Sequence, residues 1–164
     1  YGEEFGMAGG AGLGGDHKLR TPMVWDNTQP FFGFSTSEPF RAFATNRLTQ
    51  SAQQQLLNPD SLLNHYRWLI QLRKSEPALL KGKYTHASSD GWLISFRRET
   101  DTETVLVVIN YHENAARVRV TDLPANKSIQ RLGPHHTDTF NTGTQGQLNP
   151  VLPGTSFAVF KWRN

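Results

Sequence analysis

The chain has 164 residues, of which 37% are hydrophobic and 19% charged, and this balance excludes a disordered segment and a membrane protein. No apolar run approaches the roughly 18 residues that a membrane-spanning helix requires, so we expect no membrane partner. The absence of cysteine excludes disulfides, thiol catalysis and cysteine-ligated metals.

The formal net charge is +3, from 17 lysines and arginines against 14 aspartates and glutamates. No basic run is longer than the pairs Arg73-Lys74 and Arg97-Arg98, and aromatic residues do not alternate with basic ones. A nucleic-acid-binding surface needs a denser basic patch. The sequence therefore predicts solvated surface charge and no nucleic-acid partner.

The first 35 residues predict a loop rich in glycine. Residues 9–15, Gly-Gly-Ala-Gly-Leu-Gly-Gly, favour a flexible or sharply turning backbone. A phosphate-binding loop is the alternative, but it needs Lys followed by Ser or Thr after the last glycine, and a dinucleotide fingerprint needs a preceding strand. Neither is present, so the sequence does not favour phosphate binding.

Two helices are predicted next, a short one over residues 48–57 and a long one over residues 58–76. Asn58-Pro59 supplies a capping residue and a first-turn proline, and Glu76-Pro77 marks the exit. The apolar arc of the long helix is wide, which indicates that it is covered on more than one side. Arg73 falls within this arc, and we expect a buried ion pair or a clamp on a carbonyl, with substrate contact as the alternative.

From residue 83 onward the apolar period changes to two, which is typical of strands. Residues 92–97 and 104–109 predict a hairpin around the polar turn 99–102. Further strands are predicted over residues 115–120, 128–132 and 156–162. Several short strands at this spacing predict an antiparallel β-sandwich.

Three segments carry a family resemblance: Tyr1-Gly-Glu-Glu-Phe-Gly-Met7, Arg20-Thr-Pro-Met-Val-Trp-Asp26, and residues 58–79. In order and spacing they resemble the end of the catalytic barrel in glycoside hydrolase family 13, the α-amylase and α-glucosidase superfamily. The resemblance implies an α+β chain. Residues 1–80 would be the last strand, loop and helix of a (β/α)8 barrel, and residues 81–164 a C-terminal antiparallel β-sandwich.

The resemblance also implies a set of substrate-binding residues, because active sites of this barrel lie at the carboxyl ends of its strands. Glu4 corresponds to the glutamate of the eighth strand, and Arg20 to an arginine that helps to close the pocket around a terminal glucose. Trp25 and Asp26 are expected to line neighbouring sugar subsites, with loop anchoring as the alternative role for each residue. Val24 and the Phe-Phe-Gly-Phe run at 31–34 depart from the common family pattern within this loop.

No catalytic residue is expected in the chain itself. A retaining glycosidase needs two carboxyl groups about 5–5.5 Å apart. The adjacent pair Glu3 and Glu4 would point to opposite faces of a strand and cannot flank one bond. In the family the three catalytic carboxylates come from strands that precede the YGEE segment, so we expect this chain to be a C-terminal part of such an enzyme.

No metal or other cofactor is expected either. The adjacent His135 and His136 lack the His-Glu-x-x-His spacing of a zinc site.

The sequence thus predicts the C-terminal part of a retaining hydrolase for α-glucosidic bonds, with an α-glucan or maltooligosaccharide as ligand. The alternative is a non-catalytic module that binds carbohydrate or a protein partner. We also expect self-association through barrel-facing apolar side chains of the long helix, namely Leu62, Tyr66, Leu69 and Ile70.

Overall fold

The computed structural model describes residues 1–134 and 137–164, which form two compact units, Tyr1–Ile70 and Gln71–Asn164. The first unit contains 3-10 helices at Glu3–Phe5, Gly15–Leu19 and Pro30–Gly33. The α-helices are α1 (Ala52–Leu57), α2 (Leu62–Ser75) and α3 (Pro77–Lys81). The strands are β1 (Lys83–Asp90), β2 (Leu93–Glu99), β3 (Glu103–Asn110), β4 (Ala116–Arg117), β5 (Ser128–Leu132), β6 (Thr137–Asn141), β7 (Val151–Leu152) and β8 (Ser156–Arg163). No helix within the described residues is long and apolar enough to cross a membrane.

The amino-terminal segment differs from the strand end expected there. Gly2 and Gly6 both have left-handed backbones, with φ of 83° and 73°, and between them Glu3–Phe5 forms a turn of 3-10 helix. The turn is closed by the Met7 amide, which donates to the Gly2 carbonyl at 2.8 Å. Glycine adopts this conformation at little steric cost, so the chain turns back instead of extending.

The glycine-rich segment turns as predicted. Gly12 and Gly15 have φ of 70° and 54°, and the Gly10 amide donates to the Lys18 carbonyl at 2.8 Å. Asn46 fixes the approach to this segment, since its Nδ2 donates to the Gly6 carbonyl and its Oδ1 accepts from the Ala8 amide, each at 2.9 Å. The loop is therefore held by hydrogen bonds that span about forty residues of sequence.

Helices α1 and α2 both begin later than predicted. Ser51 caps α1 by accepting from the Gln54 amide at 3.2 Å. Before α2, the Asn58 side chain instead accepts from the Asp60 amide at 3.0 Å, and Ser61 Oγ accepts from the Asn64 amide at 3.2 Å. Because Ser61 is the residue that caps α2, the Asn58-Pro59 pair lies in the preceding turn.

The end of α2 agrees with the sequence, but the burial of Arg73 does not. The helix stops at Ser75, immediately before Glu76-Pro77. Arg73 is exposed, so the expectation of a buried guanidinium is wrong. Its Nη1 donates to the Leu79 carbonyl at 3.1 Å, which confirms the expected carbonyl clamp.

The second unit begins at Gln71, ten residues before the predicted start of the β-domain at residue 81, and contains the predicted antiparallel β-sandwich. One sheet has the strand order β1-β2-β3-β8-β5-β6, and a small second sheet pairs β4 with β7 and is extended by a bridge between Val120 and Leu148. The predicted hairpin is β2 and β3, with Leu93 opposite Asn110. The core lies between the sheets and joins large-sheet residues to small-sheet ones, among them Leu106, Val108, Ile129, Phe160, Val118, Val120 and Leu152. Strands β1, β6 and β7 were not predicted, and the strand expected over 115–120 is shortened to Ala116–Arg117.

An ionic cluster joins the α2–α3 corner to this sheet. Lys161 on β8 contacts Glu76 and lies 3.4 Å from Glu103 Oε2. The other oxygen of Glu103 accepts from the Ala78 amide at 2.8 Å. Burial disfavours the charged ammonium, but the hydrogen bond to Glu76 and the attraction of both carboxylates outweigh it and raise the pKa of Lys161 above its ordinary value.

Candidate functional site

The segment from Val24 to Asp26 is held in place by its backbone. The Val24 and Trp25 carbonyls accept from the amides of Ala52 and Gln53 in α1, at 3.0 and 2.9 Å. The Trp25 and Asp26 amides both donate to the Phe32 carbonyl, at 3.1 and 3.0 Å. With Val24 fully buried, this segment is a rigid base for the loop.

The Phe-Phe-Gly run that departs from the family pattern makes that arrangement possible. Phe31, Phe32 and Gly33 have successive left-handed φ values of 46°, 55° and 70°. The turn presents the Phe32 carbonyl to the two amides, and the Phe32 ring packs edge-on against Phe43 with centroids 4.7 Å apart. Left-handed backbone at a bulky residue is strained, so ring packing and the two hydrogen bonds offset a local penalty.

Arg20 lies at the wall of an open cavity of about 250 Å³ in the first unit. Its guanidinium donates to Asp16 Oδ2 at 3.0 Å, and both side chains are largely exposed. The Tyr1 hydroxyl donates to the Thr21 carbonyl at 2.6 Å beside it. Arg20 therefore keeps free donors toward the cavity, as a sugar hydroxyl would require.

A second arginine lines the same cavity. Arg41 Nη2 lies 2.8 Å from His17 Nδ1, and its Nη1 donates to the His17 carbonyl at 3.4 Å. The aromatic side chains of the wall are Tyr1, Phe34 and Phe40, and Phe40 is 97% exposed. Flat apolar rings beside guanidinium donors can take the apolar face and the hydroxyls of a pyranose ring together.

The other three predicted residues do not line this cavity. Trp25 is half exposed, and Asp26 accepts from the Thr28 amide and hydroxyl at 2.9 and 2.7 Å, which anchors the loop. Glu4 is half-buried within the first 3-10 turn. Among the four residues, the cavity includes only Arg20.

The sequence did not mark Pro39, Phe40 or Arg41, and it gave no binding role to Tyr1 or Phe34, although all of them line the cavity. No spacing rule marks them, because they come from separate turns that meet only through long-range hydrogen bonds. The signal in the sequence is an aromatic residue beside an arginine, Phe40-Arg41, in an otherwise polar stretch.

Within residues 1–134 and 137–164, no group of three or more His, Asp or Glu side chains could hold a metal ion. His135 and His136, considered above for zinc, lie outside the described residues.

Solved structures share this fold. The crystal structure of isomaltulose synthase from Erwinia rhapontici NX5 superposes with a TM-score of 0.67 and 29% identity, covering 89% of this chain and 25% of that one. The helices of the first unit and the antiparallel sheets of the second agree with the α+β fold class predicted for a fragment of this kind.

Sequence comparison gives the family. The family model "Alpha amylase, catalytic domain" matches residues 1–82. A probable α-glucosidase of Rhizobium meliloti is 34% identical over 115 residues, covering 70% of this chain and 19% of that protein. An oligo-1,6-glucosidase of Halalkalibacterium halodurans is 34% identical over 109 residues, covering 66% of this chain and 18% of that protein. The chain belongs to the α-amylase family, glycoside hydrolase family 13, and spans about a fifth of the length of these relatives.

Proposed function

We propose that this chain forms part of the sugar-binding side of an enzyme that cleaves or transfers α-glucosidic bonds with retention. The observation that carries the proposal is the position of Arg20 within the family match, on a cavity of about 250 Å³ walled by aromatic rings. The relatives' names, probable α-glucosidase and oligo-1,6-glucosidase, support an α-glucoside or α-glucan as the ligand.

We assign the carboxylates that cleave the bond to regions of the family's catalytic domain that this chain does not match. Glu3 and Glu4 share one tight 3-10 turn, and neither lines the cavity. Two carboxyl groups must flank the scissile bond in a retaining mechanism. On this proposal, Arg20 binds and orients a sugar, and the 164 residues alone do not hydrolyse it.

The domain assignment belongs to the same proposal. Residues 1–80 are assigned to the end of the barrel and residues 81–164 to the β-domain. The family match over residues 1–82 supports the first assignment. Trp25, Asp26 and Glu4 stay proposed substrate contacts, although the bonds of Asp26 to Thr28 favour loop anchoring for that residue.

The test uses the complete gene product that carries this sequence, assayed on maltose and isomaltose. We expect retaining α-glucoside hydrolysis or transfer, and an Arg20→Ala variant with kcat/KM lowered about 10- to 100-fold, because a charge-assisted hydrogen bond is removed. Arg67→Ala is the control, since Arg67 is exposed and donates to Asn64 within α2.

Three results would contradict the proposal. A gene product inert on every α-glucoside favours the alternative, a non-catalytic binding or scaffold module. Equal activity of Arg20→Ala and Arg67→Ala removes Arg20 from the site. Hydrolysis by the 164-residue chain alone would show that the assignment of the carboxylates is wrong.

A further inference from the structure

A polar cleft opens in the β-sandwich unit, which contains none of the residues around Arg20. One cavity of about 240 Å³ is lined mainly by polar side chains, including His86, Ser88, Ser95, Arg97, Arg119 and Asp122. A second cavity of about 370 Å³ shares Arg97 and Asp122 and adds Glu99. Arg97 and Asp122 therefore line both cavities, and no step of the proposed function uses them.

Arg97 is the unusual group of this cleft. It lies on β2 and is only 5% exposed, and its Nη2 donates to the Thr121 carbonyl at 2.8 Å. Its Nη1 is 4.0 Å from Glu99 Oε1, and its Nε has no hydrogen-bond partner in the described part of the chain. Desolvation lowers the pKa of Arg97, and the attraction of Glu99 and Asp122 opposes this. A buried donor without a partner is costly, and this cost falls on a side chain that lines both cavities.

Backbone strain is concentrated at the same place. The pairing of β1 with β2 shifts register between Thr85 and Ser88, and His86 within this bulge has φ of 49°. The bulge brings His86 Nδ1 to 3.5 Å from Glu99 Oε1. Asp122, which lines both cavities, has φ of 59°. Left-handed non-glycine residues and bulges both cluster at binding sites, where they aim side chains.

The charges of the two cavities favour a neutral polar ligand. The 240 Å³ cavity contains Arg97 and Arg119 with Asp122, and the 370 Å³ cavity contains Arg97 with Glu99 and Asp122. In either cavity an anion meets a carboxylate and a cation meets a guanidinium group. Such an arrangement of donors and acceptors suits a neutral ligand with many hydroxyl groups, each of which both donates and accepts. We propose that this cleft is a second carbohydrate site, which binds a neutral oligosaccharide away from the Arg20 cavity. The ligand class rests on the proposed function, whereas the location rests on the β-sandwich alone.

The experiment titrates the ¹⁵N-labelled 164-residue chain with maltotriose and follows the Arg97 Nε–H signal and the backbone amides of Ser95 and Asp122. We expect saturable shifts of these three signals with a dissociation constant in the millimolar range. An Asp122→Gly variant removes the carboxylate while glycine keeps the left-handed backbone, so stability is retained or raised. We expect its affinity for maltotriose to fall about fivefold or more.

Asn126→Gly is the matched control, because Asn126 is also left-handed, with φ of 52°, and does not line either cavity. It should change stability in the same direction and leave the affinity unchanged. The inference is overturned if maltotriose causes no shift of the Arg97 signal. It is also overturned if the two glycine variants bind maltotriose with equal affinity, or if inorganic phosphate causes these shifts and maltotriose does not. An enzymatically inert gene product whose chain still binds maltotriose at Arg97 would contradict the proposed function alone.

Discussion

At the scale of single residues, Lys161 holds the charge cluster with the clearest effect on stability. Its ammonium lies between Glu76 and Glu103, and all three side chains are largely buried. Replacing the lysine leaves two carboxylates in one poorly solvated place, so each repels the other. We predict that Lys161→Met lowers the free energy of unfolding at pH 7 by about 3 kcal/mol, measured by urea denaturation. Lys83→Met, at an exposed site on β1, should change it by less than about 0.5 kcal/mol.

The same lysine gives a pH dependence with a definite sign. Its pKa is raised in the folded chain, so the folded state holds the proton more tightly than the unfolded state. The stabilisation is therefore fully present below the unfolded pKa of about 10.4 and is lost as the pH rises through the folded pKa. The difference in unfolding free energy between the wild-type chain and Lys161→Met should shrink above about pH 10.5. A difference that stays constant to pH 12 would contradict this linkage.

Single residues also show why the candidate site was only partly predictable. Arg20 was found because it sits in a short motif, Arg-Thr-Pro-Met, that resembles a known pattern. Arg41 and Phe40 reach the same cavity through turns fixed by tertiary hydrogen bonds, such as Thr45 to the Gly9 carbonyl at 3.1 Å. Local sequence carries no record of contacts of this kind. The unpartnered Nε of Arg97 is likewise visible only after β1 and β2 have paired.

At the scale of elements, Gln55 ties α1 to α2 and to the first turn. Its Nε2 donates to the Phe5 carbonyl at 2.7 Å, and its Oε1 accepts from the Leu63 amide at 2.9 Å. Gln55 is buried, so Gln55→Leu leaves a buried donor and a buried acceptor without partners. We predict a loss of about 3 kcal/mol in unfolding free energy and faster hydrogen exchange at the Leu63 amide.

Gln54→Glu is the control for Gln55→Leu, because Gln54 is the adjacent, exposed residue of the same helix, and glutamate keeps the oxygen that accepts from Ser51 Oγ at 3.2 Å. It should leave both the unfolding free energy and the exchange rate at Leu63 nearly unchanged. Equal losses of unfolding free energy in the two variants would contradict the role assigned to the hydrogen bonds of Gln55.

Periodicity predicted the strands with buried faces well and the exposed edge strands poorly. β3 is apolar on both faces and was found because a central strand reads as an unbroken apolar run. β1 and β6 are mostly exposed strands at the two edges of the large sheet, and they carry little apolar pattern to detect.

The start of α2 was misplaced because Asn58 and Ser61 can each cap a helix. The hydrogen bond of Ser61 Oγ to the Gln55 carbonyl, at 2.7 Å, anchors Ser61 beside α1, and the sequence does not contain that bond.

At the scale of the whole molecule, α2 exposes an apolar stripe. Leu62, Tyr66 and Ile70 follow one another at intervals of four residues and are 42%, 41% and 53% exposed. Residues at this spacing share one helix face, and a contiguous apolar patch at the surface favours association. We therefore propose that the chain self-associates through this stripe. Sedimentation velocity should show the weight-average mass rising with protein concentration.

A variant with Leu62→Gln, Tyr66→Gln and Ile70→Gln should remain monomeric, because it removes the apolar stripe with good helix formers. The control replaces Leu48, Leu56 and Leu57 by glutamine in the same way. These leucines are 65%, 49% and 79% exposed in the same unit but lie outside α2. Since the two triple variants remove a similar number of exposed apolar side chains, a general gain in solubility would abolish association in both. Loss of association only in the α2 variant therefore identifies the stripe as the contact. Association that survives in the α2 variant, or that is absent from the wild-type chain, contradicts the proposal.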